Sequence, residues 1–238
     1  MHMKSRALNL NAVLTVFAAV ALLAAQGCNK KSELEDKPTA KVEDPTLAPA
    51  TKPTADKPTA DKPTADKPTA DKPAPAAKTL KLASTSTFGF VGAKVTGDHK
   101  GKVGQVEGTA TVSGGKAVSL TVTAQMASLE SDSGQLTEHL KSGDFFDVAK
   151  FPTAGFVSTT ISEGGDGSAT HTIVGNLTLH GVTKKLTFPA TVSVTDAGAS
   201  GKAEFKINRK DFGVVYPGMP DDLIKDEVLL QLSLNFAP

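Results

Sequence analysis

The sequence predicts an all-β domain: seven or eight antiparallel strands forming a barrel or sandwich, with one short helical insertion. Three observations predict it. Apolar residues recur at every second position through most of residues 79–238, Gly- and Asp-rich turns break those runs at short intervals, and one stretch alone changes to helical spacing. Alternation buries one face of a strand and leaves the other wet, as antiparallel sheets require. Many short strands with such punctuation indicate a barrel or sandwich.

Taken in chain order, residues 1–28 read as an export signal. Lys4 and Arg6 precede an apolar run over residues 12–25, which is too short to span a bilayer comfortably. It ends in AAQGC, which resembles a bacterial lipobox, with Gly27 before Cys28 and Ala25 where that pattern prefers Leu. The expectation is that Cys28 becomes an acylated N-terminus. The alternative is an ordinary secretory signal with an incidental thiol. Cys28 is the only cysteine, so an intramolecular disulfide is excluded. Asn29 hints at the outer membrane, and the expected location is the bacterial envelope, periplasmic or at the cell surface.

Residues 29–78 read as a disordered spacer. KPTAD recurs four times from Lys52 to Asp71, with an imperfect copy, DKPTAK, at 36–41. A five-residue period is too short for a solenoid unit. Proline in every repeat blocks helices and ladders, and the near absence of large apolar residues leaves nothing to offset ordering entropy. Fully extended, the roughly 50 residues would reach on the order of 150 Å. The expected role is a leash; a partner-recognition motif is the alternative.

Residues 79–238 hold ten of the eleven Phe, and 14 basic residues face 16 acidic ones, a net charge of −2. That balance gives no reason to expect nucleic acid as a partner. The alternating runs are Val118, Leu120, Val122, Ala124, Met126; then Gly175, Leu177, Leu179; Leu186, Phe188, Ala190, Val192; Ala203, Phe205, Ile207; and Val228, Leu230, Leu232, Leu234, Phe236. Turns fall at 113–115, 164–167 and 196–198. The helical stretch lies between Asp132 and Val148, where Ser131 or Asp132 can cap it and Leu136 and Leu140 share one face. A short amphipathic helix in such a chain rests on the sheet or over an open barrel end. Pro152 stops it.

Four pieces resemble the YceI-like family of lipocalin-like periplasmic proteins: HLKSGDFFDVAKFP (139–152), GNLTLHGVTK (175–184), INRKDFG (207–213) and DEV (226–228). They occur in the family's order, and the resemblance covers most of residues 79–238. It implies an eight-stranded antiparallel lipocalin-like barrel around an apolar tunnel that binds long-chain amphiphiles such as polyisoprenoids and quinones. The chain departs from the family in having no Trp, a single Tyr at 216, and Thr137-Glu138 where a charged pair is usual.

The tunnel implied by the resemblance would be lined from the strands by Phe88 and Phe90; by Val112, Leu120, Val122 and Met126; by Phe156, Leu177 and Leu179; by Phe188, Phe205 and Phe212; and by Leu230 and Leu232. Leu136, Leu140 and Phe146 would join them from the helical insertion. Small inward residues (Gly108, Ala110, Ala124, Gly175, Ala190, Ala203) either leave volume for a ligand or only accommodate curvature. Phe145, Phe146 and Phe151 either line the tunnel or fasten the helix to the barrel, with Phe146 the better wall residue.

His171 is in phase with the inward residues of its strand and would contact a head group or bond at the mouth. His99, in a loop between the first strands, resembles a family position near the mouth. His180 suits a turn, and His139 packs or caps. Arg209 could hold a head group, or pair with Asp211 or a loop acid. No histidine pair has metal-ligand spacing, so no metal site is expected, and GxSxG, P-loop and dinucleotide motifs are absent. The sequence therefore reads as a non-enzymatic, membrane-tethered lipid carrier without a resident cofactor. Two alternatives remain: an envelope stress or structural protein with a filled barrel, acting through a protein partner, and, from the enzyme class, an isomerase or hydrolase acting on the bound lipid.

Overall fold

The structure, a computed structural model, describes residues 32–45 and 76–238. The export signal, Cys28 and the four KPTAD repeats lie outside the described residues. In chain order the elements are β1 (Lys41–Glu43), β2 (Lys78–Leu82), β3 (Thr87–Lys94), β4 (Gly97–Val103), β5 (Val106–Ser113), β6 (Lys116–Gln125), β7 (Leu129–Ser131), α1 (Gly134–Lys141), β8 (Thr153–Glu163), β9 (His171–Leu179), β10 (Val182–Thr195), β11 (Gly198–Asn208), β12 (Gly218–Met219) and β13 (Asp222–Ala237).

Eight of these strands close a ring in the order β2, β5, β6, β8, β9, β10, β11, β13 and back to β2. Every pairing in it is antiparallel. At one end β3, β4 and β7 prolong the wall: β3 continues β2 along β13, β4 pairs with β3, and β7 pairs with β4. Closure removes the exposed strand edges that an open sheet would carry.

Period two placed most inward residues correctly, and a bulge accounts for one that stands outside. Across β5 and β6 the register jumps from Thr111↔Ser119 to Val112↔Ala117. Val118 is the extra residue of that bulge and stands exposed, although the alternation put it inward. The insertion is the helix Gly134–Lys141, capped by Ser133 rather than by Ser131 or Asp132: the Leu136 N–H donates to Ser133 Oγ at 3.4 Å. Leu140 and Phe145 are buried with Met126, Leu129 and Val214, and Leu136 packs against this cluster, so α1 and the loop after it cap the end of the barrel bordered by β7.

The largest departure from expectation lies in the spacer. Residues 32–45 are ordered and belong to the wall. Ser32 Oγ donates to Asp98 of β4 at 2.9 Å, and Leu34 is buried on Val91, Ala93 and Leu229, residues of β3 and β13. Lys37 pairs with Glu204 of β11. The segment then enters a seam. β10 and β11 pair only through Thr191–Thr195 and Gly198–Lys202, leaving the first half of β10 and the second half of β11 apart. Residues 38–43 fill that gap. β1 pairs antiparallel with β10 from Lys41↔Thr187 to Glu43↔Lys185, and Thr39 bridges Lys206 of β11 in parallel. The Ala40 N–H donates to the Lys206 carbonyl, and the Lys206 N–H donates to the Pro38 carbonyl, both at 2.8 Å. Pro38 suits this place because its carbonyl is what the ladder uses there. Apolar burial adds to these bonds: Leu34 and Ala40 are 3% and 4% exposed, in a segment whose composition otherwise resembles its repeats.

Candidate functional site

Inside the ring lies a cavity of about 250 Å³, lined almost entirely by carbon. From β13, Val228, Leu230, Leu232, Leu234 and Phe236 face it; β10 supplies Leu186, Phe188, Ala190 and Val192, and β11 supplies Ala203, Phe205 and Ile207. These are three of the alternating runs. Phe188 and Phe205 stack with centroids 4.1 Å apart, and Phe156 lies 5.7 Å from Phe188, so one wall is a row of aromatic faces.

Most of the residues expected at the tunnel border this cavity. Phe88 and Phe90 do so from β3, Leu120, Val122 and Met126 from β6 and the turn after it, and Phe156, Leu177 and Leu179 from β8 and β9. Phe146 borders it from the cap, whereas its neighbour Phe145 is packed into the cap against His139 and Tyr216. Phe151 packs instead on His180, with centroids 4.6 Å apart. Of the small residues, Ala110, Ala124, Ala190 and Ala203 line open space. The gap at Gly175 is filled, because a Cβ there would lie 2.4 Å from the Phe156 ring.

Six expected lining residues stand elsewhere. Val112, across from the bulge, is buried with Leu80, Leu234 and Phe236 beyond the cavity's end. Leu136 and Leu140 turn their shared face into the cap cluster. Phe212 is fully buried on a 3₁₀ turn (Arg209–Phe212) that follows β11, within the core but off the cavity. His99 lies on strand β4 rather than in a loop, on the same face as Val103 but off the cavity lining, and its Nδ1 sits 3.0 Å from Asp132. His171 is in phase with Ile173 but opens β9 at the barrel's rim, where its Nδ1 bonds Thr170 Oγ1 at 2.8 Å.

The remaining polar candidates have structural duties. His180 adopts a positive φ of 51° at the β9–β10 turn and donates from Nδ1 to the Phe212 carbonyl at 3.2 Å. Arg209 is 6% exposed and borders the cavity, yet its donors are engaged: Nε with the Lys225 carbonyl at 3.1 Å, Nη1 with Val214 at 2.8 Å and Nη2 with Ile224 at 3.3 Å. Its acid partner is Asp226, at 3.4 Å, rather than Asp211. Burial pushes the Arg209 guanidinium below its ordinary range, and Asp226 opposes that shift.

Other lining residues escaped the sequence reading. Val103, Leu129 and Val214 sit where strands are interrupted or in the cap, outside any alternating window. Leu186, Leu234 and Phe236 were visible in their runs but absent from the expected lining.

A second hollow opens through the wall beside the first. β2 and β5 stop pairing at Lys81↔Thr109, and β3 and β4 begin at Gly89↔Lys102. Residues 82–88 and 103–108 face each other without register, around a hollow of about 400 Å³. Ser84, Ser86, Gln105, Glu107 and Gln125 give it a polar rim, while Phe88 and Val103 border both hollows.

The YceI-like domain family matches residues 80–236, well over half of the chain. A UPF0312 protein of Pseudomonas putida strain F1 is 39% identical over 109 residues, covering 43% of this chain and 56% of the relative. The match thus spans about half the length of such curated relatives. Burkholderia cenocepacia BcnA is similar in structure, with TM-score 0.55 and 24% identity over 63% of this chain and 95% of that one. So is a polyisoprenoid binding domain from Saccharophagus degradans implicated in plant cell wall breakdown, with TM-score 0.54 and 16% identity over 67% of this chain and 98% of the other. At these identities the structural likenesses concern the fold.

Proposed function

This chain belongs to the YceI-like domain family, and on that premise we propose that its barrel carries the apolar chain of a long amphiphile, a polyisoprenoid, quinone or fatty-acid-like lipid, while an acylated Cys28 holds it in the bacterial envelope. The observation that supports this reading is the cavity of about 250 Å³ with its carbon lining and aromatic row. Apolar cavities of about 150 Å³ already bind benzene-sized molecules, so a segment of isoprenoid chain has room. Each buried CH₂ contributes roughly 0.8 kcal/mol, and affinity therefore grows with chain length without a charged contact. Similarity to a polyisoprenoid binding domain points the same way.

The wall position of residues 38–43 alters how the tether works. Only residues 29–31 separate Cys28 from the ordered segment that starts at Ser32. Fully extended, the four residue steps from Cys28 to Ser32 could reach at most about 14 Å. The KPTAD repeats then join two points of the wall and lengthen the leash only when residues 32–45 leave it.

The test is native mass spectrometry of the chain carrying Cys28→Ser, followed by solvent extraction. A stoichiometric long-chain lipid is expected. A barrel that stays empty after incubation with isoprenoids, quinones and fatty acids refutes carriage. Separately, the unaltered chain should partition with membranes and the Cys28→Ser chain should not. Equal partitioning refutes the anchor.

A further inference from the structure

We propose that the unpaired window between residues 82–88 and 103–108 seats the polar head of the bound amphiphile, and that it takes an uncharged hydrogen-bonding head (an alcohol, carbonyl or amide) in preference to a phosphate or carboxylate. The inference rests on the reading that the apolar cavity takes the tail.

Continuity is the first argument. Phe88 and Val103 border both hollows, so a chain lying along the aromatic wall reaches the window with no backbone ladder between. A tail confined to the cavity must bring its head out somewhere, because a buried polar head without partners costs several kcal/mol. The window is where the wall turns from carbon to polar side chains.

The second argument is chemical. The side-chain amides of Gln105 and Gln125 each offer donors and an acceptor, and among the described residues neither has a protein partner. Ser86 is already used by Asn235, donating to its carbonyl at 3.2 Å and accepting from its N–H at 2.9 Å, which leaves the two amides and Ser84 for a ligand. The window's lining holds one acid, Glu107, and no Lys, Arg or His. An anionic head there would meet a like charge and no cation. The nearest lysine along the strand, Lys102, points outward to Glu130 at 3.3 Å.

The alternatives for an anion are poor. Arg209 borders the cavity with its donors engaged. Lys202 also borders the cavity, but it lies two strands away from the window, opposite Ser233, and is exposed in alternation with buried Ala203 and Phe205.

The test uses the chain carrying Cys28→Ser and three probes of matched length: a polyprenol, the corresponding polyprenyl phosphate and a fatty acid. A headless fluorescent hydrocarbon reports the cavity alone. The polyprenol is expected to bind about tenfold or more tightly than the phosphate, the scale set by leaving a charge uncompensated. Gln105→Lys, at an exposed position, should raise phosphate affinity about tenfold and leave hydrocarbon binding unchanged, whereas Lys202→Glu should change neither. Equal affinity for the two heads, or a phosphate affinity that follows Lys202 and ignores Gln105, overturns the window as head site while leaving carriage intact. Failure of every probe, the hydrocarbon included, overturns carriage and this inference together.

Discussion

Between β10 and β11 the wall is completed by residues 38–43, borrowed from ahead of the barrel, whereas between residues 82–88 and 103–108 it stays unpaired. The two gaps differ in what surrounds them. The first leads onto an outer face that is itself apolar, where Val91 and Leu229 are fully buried in one cluster with Leu34. The second is rimmed by Ser, Gln and Glu side chains that water or a polar head can satisfy. A missing ladder strand is thus tolerated where the local side chains are polar and is covered where they are not, as the cost of exposed apolar area and unpaired backbone groups requires.

Removing residues 32–45 tests this contrast most severely. It uncovers Val91, Ala93 and Leu229 and breaks the reciprocal bonds between Lys206 and residues 38–40. Urea unfolding is expected to show a loss of about 3–5 kcal/mol, the range for a buried Leu with further burial lost beside it. A loss below about 1 kcal/mol would mean that the segment merely rests on a finished wall. Leu34→Ala alone should lose roughly 2–3 kcal/mol by the same measure, while the backbone bridge at Ala40 persists.

The corresponding change at the window should be nearly silent. Gln105→Ala, at an exposed position with no side-chain bond to the protein, is expected to shift stability by less than about 0.5 kcal/mol. A loss as large as that of Leu34→Ala would show that the window is held shut by its rim and would erase the difference between the gaps.

How much of this was legible follows from the same residues. The alternation of Leu186 to Val192, Ala203 to Ile207 and Val228 to Phe236 gave the barrel and most of its lining, because period two in a half-buried strand is set by geometry alone. Val118 was misplaced because a bulge leaves no mark in an alternating run. Leu136, Leu140 and Phe145 read correctly as one apolar insertion, but whether such a surface faces a cavity or a cap depends on a partner far away in sequence, here Val214 and Tyr216. The ordered spacer segment was hidden by its likeness to KPTAD. A signal did exist on the other side of the contact: Val228, Leu229 and Leu230 are consecutive, so β13 is apolar on both faces and its outer face needs a cover. The window had no signature, since a lapse in register is a relation between two strands.

The smallest effect is also the most specific, because it separates the gaps by pH. Lys41 and Lys185 hold the Glu43 carboxyl below its ordinary value of 4.5, and Lys185 belongs to β10, so one of these contacts ties the inserted strand to the wall. A depressed carboxylate pKa contributes stability above 4.5 that is lost as pH falls through the lower folded value. On the other side, the hydrogen bond to Asp44 raises Lys184 above 10.5. Its contribution is complete below 10.5 and disappears as pH rises through the higher folded value. Residues 38–43 should therefore be seated most firmly between these limits and loosen at both extremes. Amide exchange at Ala40 and Lys206, corrected for the intrinsic pH dependence, should be slowest in that interval and accelerate outside it. Exchange at residues 83–86 and 103–106 should follow the intrinsic curve throughout. A flat corrected profile at Ala40 would mean that Leu34 and the backbone alone hold the segment, leaving its ion pairs without effect on the seam.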